Sequence, residues 1–166
     1  MRKQEAIQFL KHNHEKLEKT IKGLRKSQIT EEIITGKWTT KDIIAHISAW
    51  NIELKKATDD LLNNEKPWFI NEEELNEAEF NEKETNKRKN LHLDQIFEEW
   101  QITFKELIQK ISSLSNSEWK YQTPFEWTKD MPVTVSSLFD YIYKGEGHEG
   151  GHASQITAFF GKKKLI

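Results

Sequence analysis

Apolar residues recur every three or four positions in three long stretches of this chain, which is the spacing of an amphipathic helix. The first stretch covers about residues 3 to 26, where His14 interrupts the apolar stripe formed by Ile7, Leu10, Leu17, Ile21 and Leu24. The second ends near residue 62 and has a face made of Ile43, His46, Ile47, Trp50 and Leu54. The third covers about residues 93 to 114. The pattern predicts three long helices.

Local residue choices predict where the second helix starts and where a fourth one lies. Thr39 is followed three positions later by Asp42, which is the reciprocal pair of a capping box. Pro132 and Thr134 precede a further apolar pattern that extends to about Phe160 and ends at Gly161. Four glycines interrupt this last pattern, and each costs a helix about 0.8 to 1 kcal/mol relative to Ala. We expect helix throughout, with the glycines allowing close backbone approach or access to a metal; the alternative is a break between residues 145 and 151.

The connections between these helices complete the predicted architecture. Residues 63 to 90 form a long crossover rich in Asn, Glu and Lys, with a short helix expected from about Glu72 to Glu84. Residues 112 to 131 form a second connection, and no stretch has a convincing strand pattern. We therefore predict an all-α four-helix bundle, with residues 1–166 as one domain. The crossover between helices 2 and 3 is long enough for those two helices to run parallel.

Composition excludes some functions. The 166 residues include 25 Lys and Arg against 27 Asp and Glu, so the net charge of −2 offers no electrostatic case for nucleic acid or an anionic membrane. Cys is absent, which excludes disulfides and a protein thiol. The first residues are charged and no apolar run reaches 18 residues. We expect a soluble cytoplasmic protein that binds neither nucleic acid nor membrane.

The candidate chemistry lies in His148-Glu149-Gly150-Gly151-His152. Two histidines four residues apart lie on one face of a helix, where both imidazoles can bind one divalent ion. The same five residues match the H-E-x-x-H motif of zinc proteases, in which the Glu is the general base. Those proteases take a further ligand from downstream, and residues 153 to 166 contain no His, Asp or Glu. A protease is therefore disfavoured, and the third ligand should come from upstream.

Four upstream histidines are candidates for that third ligand: His12, His14, His46 and His92. His46 is the best placed, because it lies on the apolar face of a well-capped helix, where an unpaired imidazole would be costly to bury. His14 is second, as the polar interruption of the first stripe. A histidine in such a stripe is more often a hydrogen-bonded core residue than a ligand, so we regard His14 only as a candidate for contact with the ligands. His12 and His92 have the pattern of surface residues.

Two segments resemble the signatures of the DinB/YfiT-like family. Residues 36 to 46, Gly-Lys-Trp-Thr-Thr-Lys-Asp-Ile-Ile-Ala-His, are similar to its second-helix signature, a Trp-Ser/Thr cap leading to a His. Residues 148 to 156 are similar to its last-helix signature, His-x-x-x-His-x-x-Gln-Ile. The crossover resembles the ClbS/DfsB-like branch. The resemblance implies an up-down-down-up bundle, one divalent ion held by His46, His148 and His152, and a homodimer.

Members of this family are metal-dependent hydrolases, thiol-dependent S-transferases or isomerases, or self-protection proteins, so the resemblance implies a metal-dependent enzyme acting on a small molecule. Zinc or nickel is the expected ion, and a low-molecular-weight thiol would have to be a separate cofactor. At 100° per residue, Tyr141 and Gln155 should point into the same cleft as the paired histidines, and Trp50 follows His46 by one turn. The alternative is a non-catalytic binding or self-protection bundle with a structural or vestigial metal site.

Two carboxylates are candidate catalytic groups. Glu53 follows His46 by two helical turns, which makes it the more plausible acid near an ion held on that face. Glu149 lies roughly 80° from the bisector of the two C-terminal histidines, and would reach the ion only if the helix were distorted at its glycines. Both positions are also those of ordinary solvated acids on a helix surface.

Overall fold

The computed structural model describes residues 1–70, 77–141 and 143–163, and these residues are mostly helical. In chain order the elements are α1 (Lys3–Lys22), α2 (Lys26–Thr30), β1 (Ile33–Thr35), β2 (Trp38–Thr39), α3 (Thr40–Leu62), α4 (Glu77–Arg88), α5 (Leu93–Ser113), α6 (Asn116–Trp119), β3 (Gln122–Thr128), β4 (Met131–Thr134), a 3₁₀ helix (Ser136–Phe139) and α7 (His148–Lys163). The long helices α1, α3, α5 and α7 form the predicted four-helix bundle.

Ion pairs give the direction of the two central helices. Lys55 and Asp59 on α3 pair with Glu106 and Lys110 on α5, respectively. From the first ion pair to the second, the residue number rises by four on both helices, so α3 and α5 run parallel. Two parallel neighbours require a connection that returns along the bundle, and α4 lies within that crossover. The long crossover predicted between helices 2 and 3 is confirmed.

Contacts of α1 complete the topology. His14 and Lys16 on α1 bond to Glu149 and Ser154 on α7, so these helices also run parallel. Against α5, α1 runs antiparallel, because Lys3 reaches the carbonyl of Leu114 whereas Glu18 accepts a hydrogen bond from Gln101. The bundle therefore has the up-down-down-up order.

The buried apolar side chains form two clusters, one toward each end of the bundle. One cluster surrounds the first turns of α3 and the middle of α7, and includes Ile43, Ile47, Trp100 and Ile156. The other packs α1, α3 and α5 against the second hairpin, through Leu61, Ile111, Val133 and Val135 among others. The α3 helix begins at its predicted cap, where Thr39 Oγ1 accepts from the backbone N–H of Asp42. This cap holds the first turns of α3 in the cluster that carries His46.

The predicted start of the last helix is wrong. Residues 131–134 form β4, paired antiparallel with β3, and α7 begins only at His148. Tyr143 and Glu146 exchange backbone hydrogen bonds of 2.6 and 3.0 Å across a tight turn, in which Lys144 and Gly145 have φ of 53° and 81°. Two successive residues with positive φ form a hairpin turn and cannot continue a right-handed helix. The break lies at residues 143 to 146, and the chain is regular helix from His148 onward.

Two smaller expectations also change. The expected absence of strands is wrong, because β1–β2 and β3–β4 are short antiparallel hairpins of two strands each. The short helix expected at residues 72 to 84 is observed as α4, Glu77–Arg88, and residues 72 to 76 lie outside the described part. Among the described helices, none combines the length and the apolar character needed to cross a membrane.

Candidate metal centre

Three histidine side chains meet between α3 and the first turns of α7. His46 Nε2 lies 2.9 Å from His148 Nε2, which in turn lies 3.2 Å from His152 Nε2. The ring planes of His46 stand nearly perpendicular to both other rings, at 82° and 83°. The two parts of the site are 102 residues apart in the chain, and the packing of α3 beside α7 brings them together.

Burial keeps these imidazoles uncharged at neutral pH. His46 and His152 are 6% and 7% exposed, and His148 is partly buried. Burial, and then the charge of His152, lowers the pKa of His46 to about 3. Burial likewise lowers the pKa of His152 to about 4 and that of His148 well below its usual range. A neutral imidazole has the free lone pair that a metal ligand needs.

Gln155 determines which nitrogen of His152 carries the proton. Gln155 Oε1 lies 3.0 Å from His152 Nδ1, and an amide oxygen can only accept a hydrogen bond. The proton of neutral His152 therefore lies on Nδ1, so Nε2 presents a lone pair to the point where the three rings meet. Sequence periodicity predicted that Gln155 shares the cleft with the histidines, and its amide lies against one of them.

The arrangement fits one divalent ion. Three nitrogens bound to tetrahedral zinc at 2.0–2.1 Å would lie about 3.4 Å apart, close to the observed 2.9 and 3.2 Å. Among the described residues, the group of side chains able to share an ion consists of His46, His148 and His152, whose ligand atoms all lie within 4.8 Å of one another. His46 Nδ1 is buried without a hydrogen-bond partner, so hydrogen bonding alone does not explain why this ring is buried.

The glycines of α7 make the site possible by admitting neighbours close to the helix backbone. A Cβ at Gly150 would lie 1.8 Å from the side-chain oxygen of Asn13 on α1. A Cβ at Gly151 would lie 2.4 Å from the ring of Tyr143 and 2.5 Å from its carbonyl oxygen. The close approach predicted for this segment therefore occurs on two sides, against α1 and against the hairpin turn before α7.

Aromatic rings surround the three histidines. Tyr141 is 58% exposed, and its ring centroid lies 6.1 Å from that of His148. Tyr143 lies 4.9 Å from His152, and Trp38 lies 5.0 Å from His46. The contact of Tyr143 with His152 was not predicted from the sequence, because Tyr143 was expected to lie within the last helix. Trp38 belonged to the family signature, but its place before the helix gave no sign that its ring contacts His46.

Trp50 belongs to a larger aromatic cluster next to His46. Its ring lies 5.0 to 6.0 Å from those of Trp68, Phe69 and Phe80. Its indole N–H donates to Asn81 Oδ1 at 2.8 Å, and Asn81 lies close enough to His46 to oppose the lowering of its pKa. The polar edge of Trp50 is thus satisfied by α4, and its apolar faces contact the crossover.

The two candidate carboxylates lie in different surroundings, and neither belongs to the three-histidine group. Glu53 Oε1 accepts a hydrogen bond from Trp68 Nε1 at 2.7 Å, and burial raises the pKa of Glu53 against the effect of that bond. Glu149 is 7% exposed and faces α1 and α5: Oε2 lies 2.7 Å from His14 Nδ1, and Oε1 accepts from Trp100 Nε1 at 3.0 Å. The catalytic roles expected for Glu53 and Glu149 stay predictions.

His14 is buried beside Glu149 and does not contact the three histidines directly. Its ring is stacked on Phe104 at 3.7 Å. Its Nε2 faces Gln101 Oε1 at 3.2 Å, and the amide nitrogen of Gln101 donates to Glu18, which establishes that the oxygen faces His14. Burial lowers the pKa of His14, but the bond and charge of Glu149 outweigh it, so the pKa is raised. Both ring nitrogens face acceptors, as in an imidazolium.

Comparison with known proteins supports the fold. A sequence model of the DinB superfamily matches residues 9–156. No curated protein matches the sequence. An uncharacterised protein from Escherichia coli UTI89 has a similar structure, with a TM-score of 0.75 at 12% identity over 98% of this chain and 95% of that one.

Two further solved structures are similar. The colibactin self-resistance protein ClbS, in complex with double-stranded DNA, has a TM-score of 0.70 at 14% identity, over 95% of this chain and 94% of that one. The mycothiol-dependent maleylpyruvate isomerase has a TM-score of 0.70 at 14% identity, over 94% of this chain and 61% of that one. The structure of a variant of the same isomerase is also similar, and this chain covers 55% of the length of that variant's chain. At these identities the likeness shows the fold.

One expectation about partners is wrong. The net charge of −2 led us to exclude nucleic acid, yet ClbS, which has the same fold, is bound to double-stranded DNA in its crystal structure. Net charge sums over the whole surface, whereas DNA contacts depend on the local arrangement of donors and cations. Charge balance therefore does not exclude a nucleic-acid partner for this fold.

Proposed function

This chain belongs to the DinB superfamily, and from that membership we propose that it is a metal-dependent enzyme acting on a small molecule, with one divalent ion held by His46, His148 and His152. The proposal depends on one observation: three buried imidazoles from two helices converge, with Nε2 atoms 2.9 and 3.2 Å apart. We propose zinc or nickel, because imidazole suits both ions. The proposed homodimer rests on the family resemblance alone.

The ion would supply a Lewis acid with open positions for water, a substrate oxygen or a thiolate. The chain's own residues prepare the site. Burial keeps the three imidazoles neutral, and Gln155 holds the proton of His152 on Nδ1. The rings of Trp38 and Tyr143 cover His46 and His152 and limit the access of water.

We assign the entrance to Tyr141, whose exposed phenol ring stands over His148. Trp50 and the aromatic side chains around it form an apolar wall beside His46, which favours a substrate with an apolar or aromatic part. Gln155 lines the same cleft from α7. Glu53 follows His46 by two turns, about 10 Å along the helix, so its carboxyl would meet a distal part of the substrate.

Two reactions are compatible with this site: hydrolysis, and transfer of a low-molecular-weight thiol to a small electrophile. The similar fold of a mycothiol-dependent isomerase supports the second. Because the chain contains no Cys, the thiol would be a separate molecule, such as bacillithiol or glutathione. The similar fold of a self-resistance protein supports a toxic small molecule as the substrate in either case.

The first experiment is metal analysis of the purified protein. We expect one equivalent of zinc or nickel in the wild type, and less than a tenth of that in His46→Ala, His148→Ala and His152→Ala. His92→Ala is the matched control, because His92 is an exposed residue at the start of α5. If all three variants keep the wild-type metal content, the proposed site is wrong.

The second experiment separates the reactions. Panels of esters, epoxides and thiol-accepting electrophiles are assayed with the metal-loaded protein, with and without added thiol. Turnover that requires the thiol supports the transferase, and turnover without it supports the hydrolase. If metal binds stoichiometrically and no compound turns over, the alternative gains support, namely a non-catalytic binding or self-protection bundle whose metal site is structural or vestigial.

A further inference from the structure

A polar cluster lies beside the two histidines of α7. It consists of the buried side chains of His14 on α1, Trp100 on α5 and Glu149 on α7, with the exposed Gln101 of α5 at its edge. Glu149 is the residue between His148 and the glycine pair, so the cluster is attached to the metal centre by one peptide bond. Every oxygen of the Glu149 carboxylate is used, one by His14 at 2.7 Å and one by Trp100 at 3.0 Å.

We propose that Glu149 is a positioning residue of the metal centre, which fixes the rotation of α7 so that His148 and His152 both face His46. This inference rests on the proposed three-histidine metal site. The Glu149 carboxylate is not part of the three-histidine group, because it points about a quarter turn away around α7, toward His14 on α1 and Trp100 on α5. It acts through the helix that carries the two ligands.

The positions of the His148 and His152 ring nitrogens depend strongly on the rotation of α7 about its own axis. His148 and His152 lie within 40° of each other around the helix axis, and Glu149 lies about 80° from their bisector. A ring nitrogen lies about 6 Å from the axis, so a rotation of 10° moves it by about 1 Å. Metal–ligand distances tolerate only about 0.2 Å. A bond that holds the helix at Glu149 therefore controls whether both histidines reach one ion.

The first turn of α7 needs such a restraint. The helix begins at His148, directly after the tight turn at residues 143 to 146, so the first ligand lies in the first turn of the helix, where the backbone N–H groups have fewer intrahelical partners. A carboxylate in the first turn is favoured by the helix dipole. The partners of Glu149 are themselves held in place, since His14 is stacked on Phe104 and its ring is bonded at both nitrogens.

Neighbouring contacts agree with this role. Asn13, adjacent to His14, occupies the space left by the missing side chain of Gly150, adjacent to Glu149. Two consecutive residues of α1 thus contact two consecutive residues of α7. His14 is hydrogen-bonded to Glu149, and Asn13 packs closely against Gly150. Together these contacts fix the rotation of α7 about its axis and its distance from α1.

The test measures metal binding by the apoprotein, independently of any activity. Cobalt(II) is titrated into wild type and Glu149→Gln, and its visible absorption bands report affinity and ligand geometry. Gln keeps the size of the side chain and its acceptor for Trp100, but loses the charge that holds His14. We expect the Kd for cobalt to rise 10- to 100-fold and the bands to change, which is the effect of removing a partner of a ligand-bearing group.

The control is Glu146→Gln. Glu146 lies before the first residue of the helix and accepts hydrogen bonds from Lys16 on α1 and from Ser154 on α7, so it tests whether any charged contact between these two helices has the same effect. We expect its cobalt affinity and spectrum to match the wild type. If Glu146→Gln weakens binding as much as Glu149→Gln does, the effect is general docking of α7, and the proposal is overturned.

Circular dichroism and thermal unfolding of the apoproteins separate positioning from stability. A Glu149→Gln protein that melts earlier but keeps the wild-type cobalt Kd and bands would overturn the proposal. Should this variant not fold, Trp100→Phe removes the indole N–H that bonds to Oε1 and keeps a smaller aromatic ring, and we expect about a three- to tenfold rise in Kd, equivalent to one hydrogen bond. If the wild type binds no cobalt, the proposed function fails together with this inference. If the wild type binds cobalt and the Glu149→Gln and Trp100→Phe variants bind it with the same Kd, only this inference fails.

Discussion

The Nε2 atoms of His46 and His148 lie 2.9 Å apart, although 102 residues separate them in the chain. Neither ring has the surroundings of an ordinary core histidine, because both are desolvated and His46 Nδ1 makes no hydrogen bond of normal geometry in the described structure, although the Asn81 side chain beside His46 acts to raise its pKa. A protein gains nothing in stability from such an arrangement by itself. The arrangement is explained if a bound ion repays the cost of burial, and this leads to the first prediction.

His46→Leu should stabilise the metal-free protein while abolishing its response to metal. Leu fills a similar volume among Ile43 and Ile47, and removes a buried nitrogen without a partner, which we expect to stabilise the apoprotein by about 1–2 kcal/mol. Wild type should gain about 2.7 kcal/mol at a zinc concentration 100 times its Kd, and the variant should gain nothing. Thermal unfolding with and without zinc measures both effects. An apoprotein destabilised by the change would contradict the explanation of the unpaired nitrogen.

Gly150→Ala should destabilise the protein even though Ala is the better helix former by about 1 kcal/mol. The new methyl group would lie 1.8 Å from Asn13 Oδ1, and overpacking of this kind costs about 1–3 kcal/mol. The matched control is Gly161→Ala on the same helix, where nothing lies within 4 Å of the new Cβ, and where we expect a small gain. Denaturant unfolding measures the two free energies.

The cause of the Gly150 effect can be checked by a second change. Asn13→Ala should partly restore the stability of Gly150→Ala, because it removes two of the three nearest atoms that the new methyl group meets and leaves Glu146 Oε2, at 2.7 Å, in place. The coupling free energy from the double-mutant cycle should be favourable. Additive effects would mean that the two side chains do not compete for this space.

Gln155→Leu should weaken metal binding without preventing folding. The amide oxygen of Gln155 holds the proton of His152 on Nδ1, and without it the ring can present a protonated Nε2 to the ion. We expect the Kd for zinc to rise 10- to 100-fold, measured by competition with a chelator. Gln155 is partly exposed at the cleft, so the apoprotein should melt near the wild-type temperature. If the Kd for zinc were unchanged, Gln155 would not orient the metal ligand, and only its predicted role in lining the substrate pocket would remain.

His14 should titrate above 6.5 in the wild type and below 6.5 in Glu149→Gln. The hydrogen bond and charge of Glu149 raise the pKa of His14, and burial alone would lower it. Because the folded-state pKa is raised, the stability contributed by protonated His14 is fully present below about pH 6.5 and is lost as the pH rises through the folded-state value. Two-dimensional NMR of the imidazole nitrogens measures both values. A wild-type pKa below 6.5 would contradict the assignment of His14 as an imidazolium.

Much of the candidate site follows from local sequence. Helical spacing places His46 on the buried face of α3, and the spacing of His148 and His152 puts both on one face of α7. The cap formed by Thr39 and Asp42 marks the start of α3. Each of these features depends on residues within one or two helical turns of each other. Local geometry therefore specifies them without knowledge of the rest of the fold.

Other features depend on partners far away in the chain. The apolar pattern of residues 132 to 147 is compatible with a helix, but Val133 is buried as part of the second hairpin, Val135 is buried directly after it, and the turn at Lys144 and Gly145 stops any helix. The glycine run predicts a close backbone approach, but only the tertiary structure shows that Asn13 and Tyr143 occupy the space beside it.

The five residues from His148 to His152 illustrate both kinds of information. Their residue types and spacing sufficed to indicate a metal site and a bundle, because a helix places side chains by sequence position alone. The partner of each side chain was not predictable: His46 faces the histidines, whereas His14 and Trp100 face Glu149. These contacts join residues 49 to 135 positions apart, and only the packing of α1, α3 and α5 around α7 selects among the many pairings that helical periodicity allows.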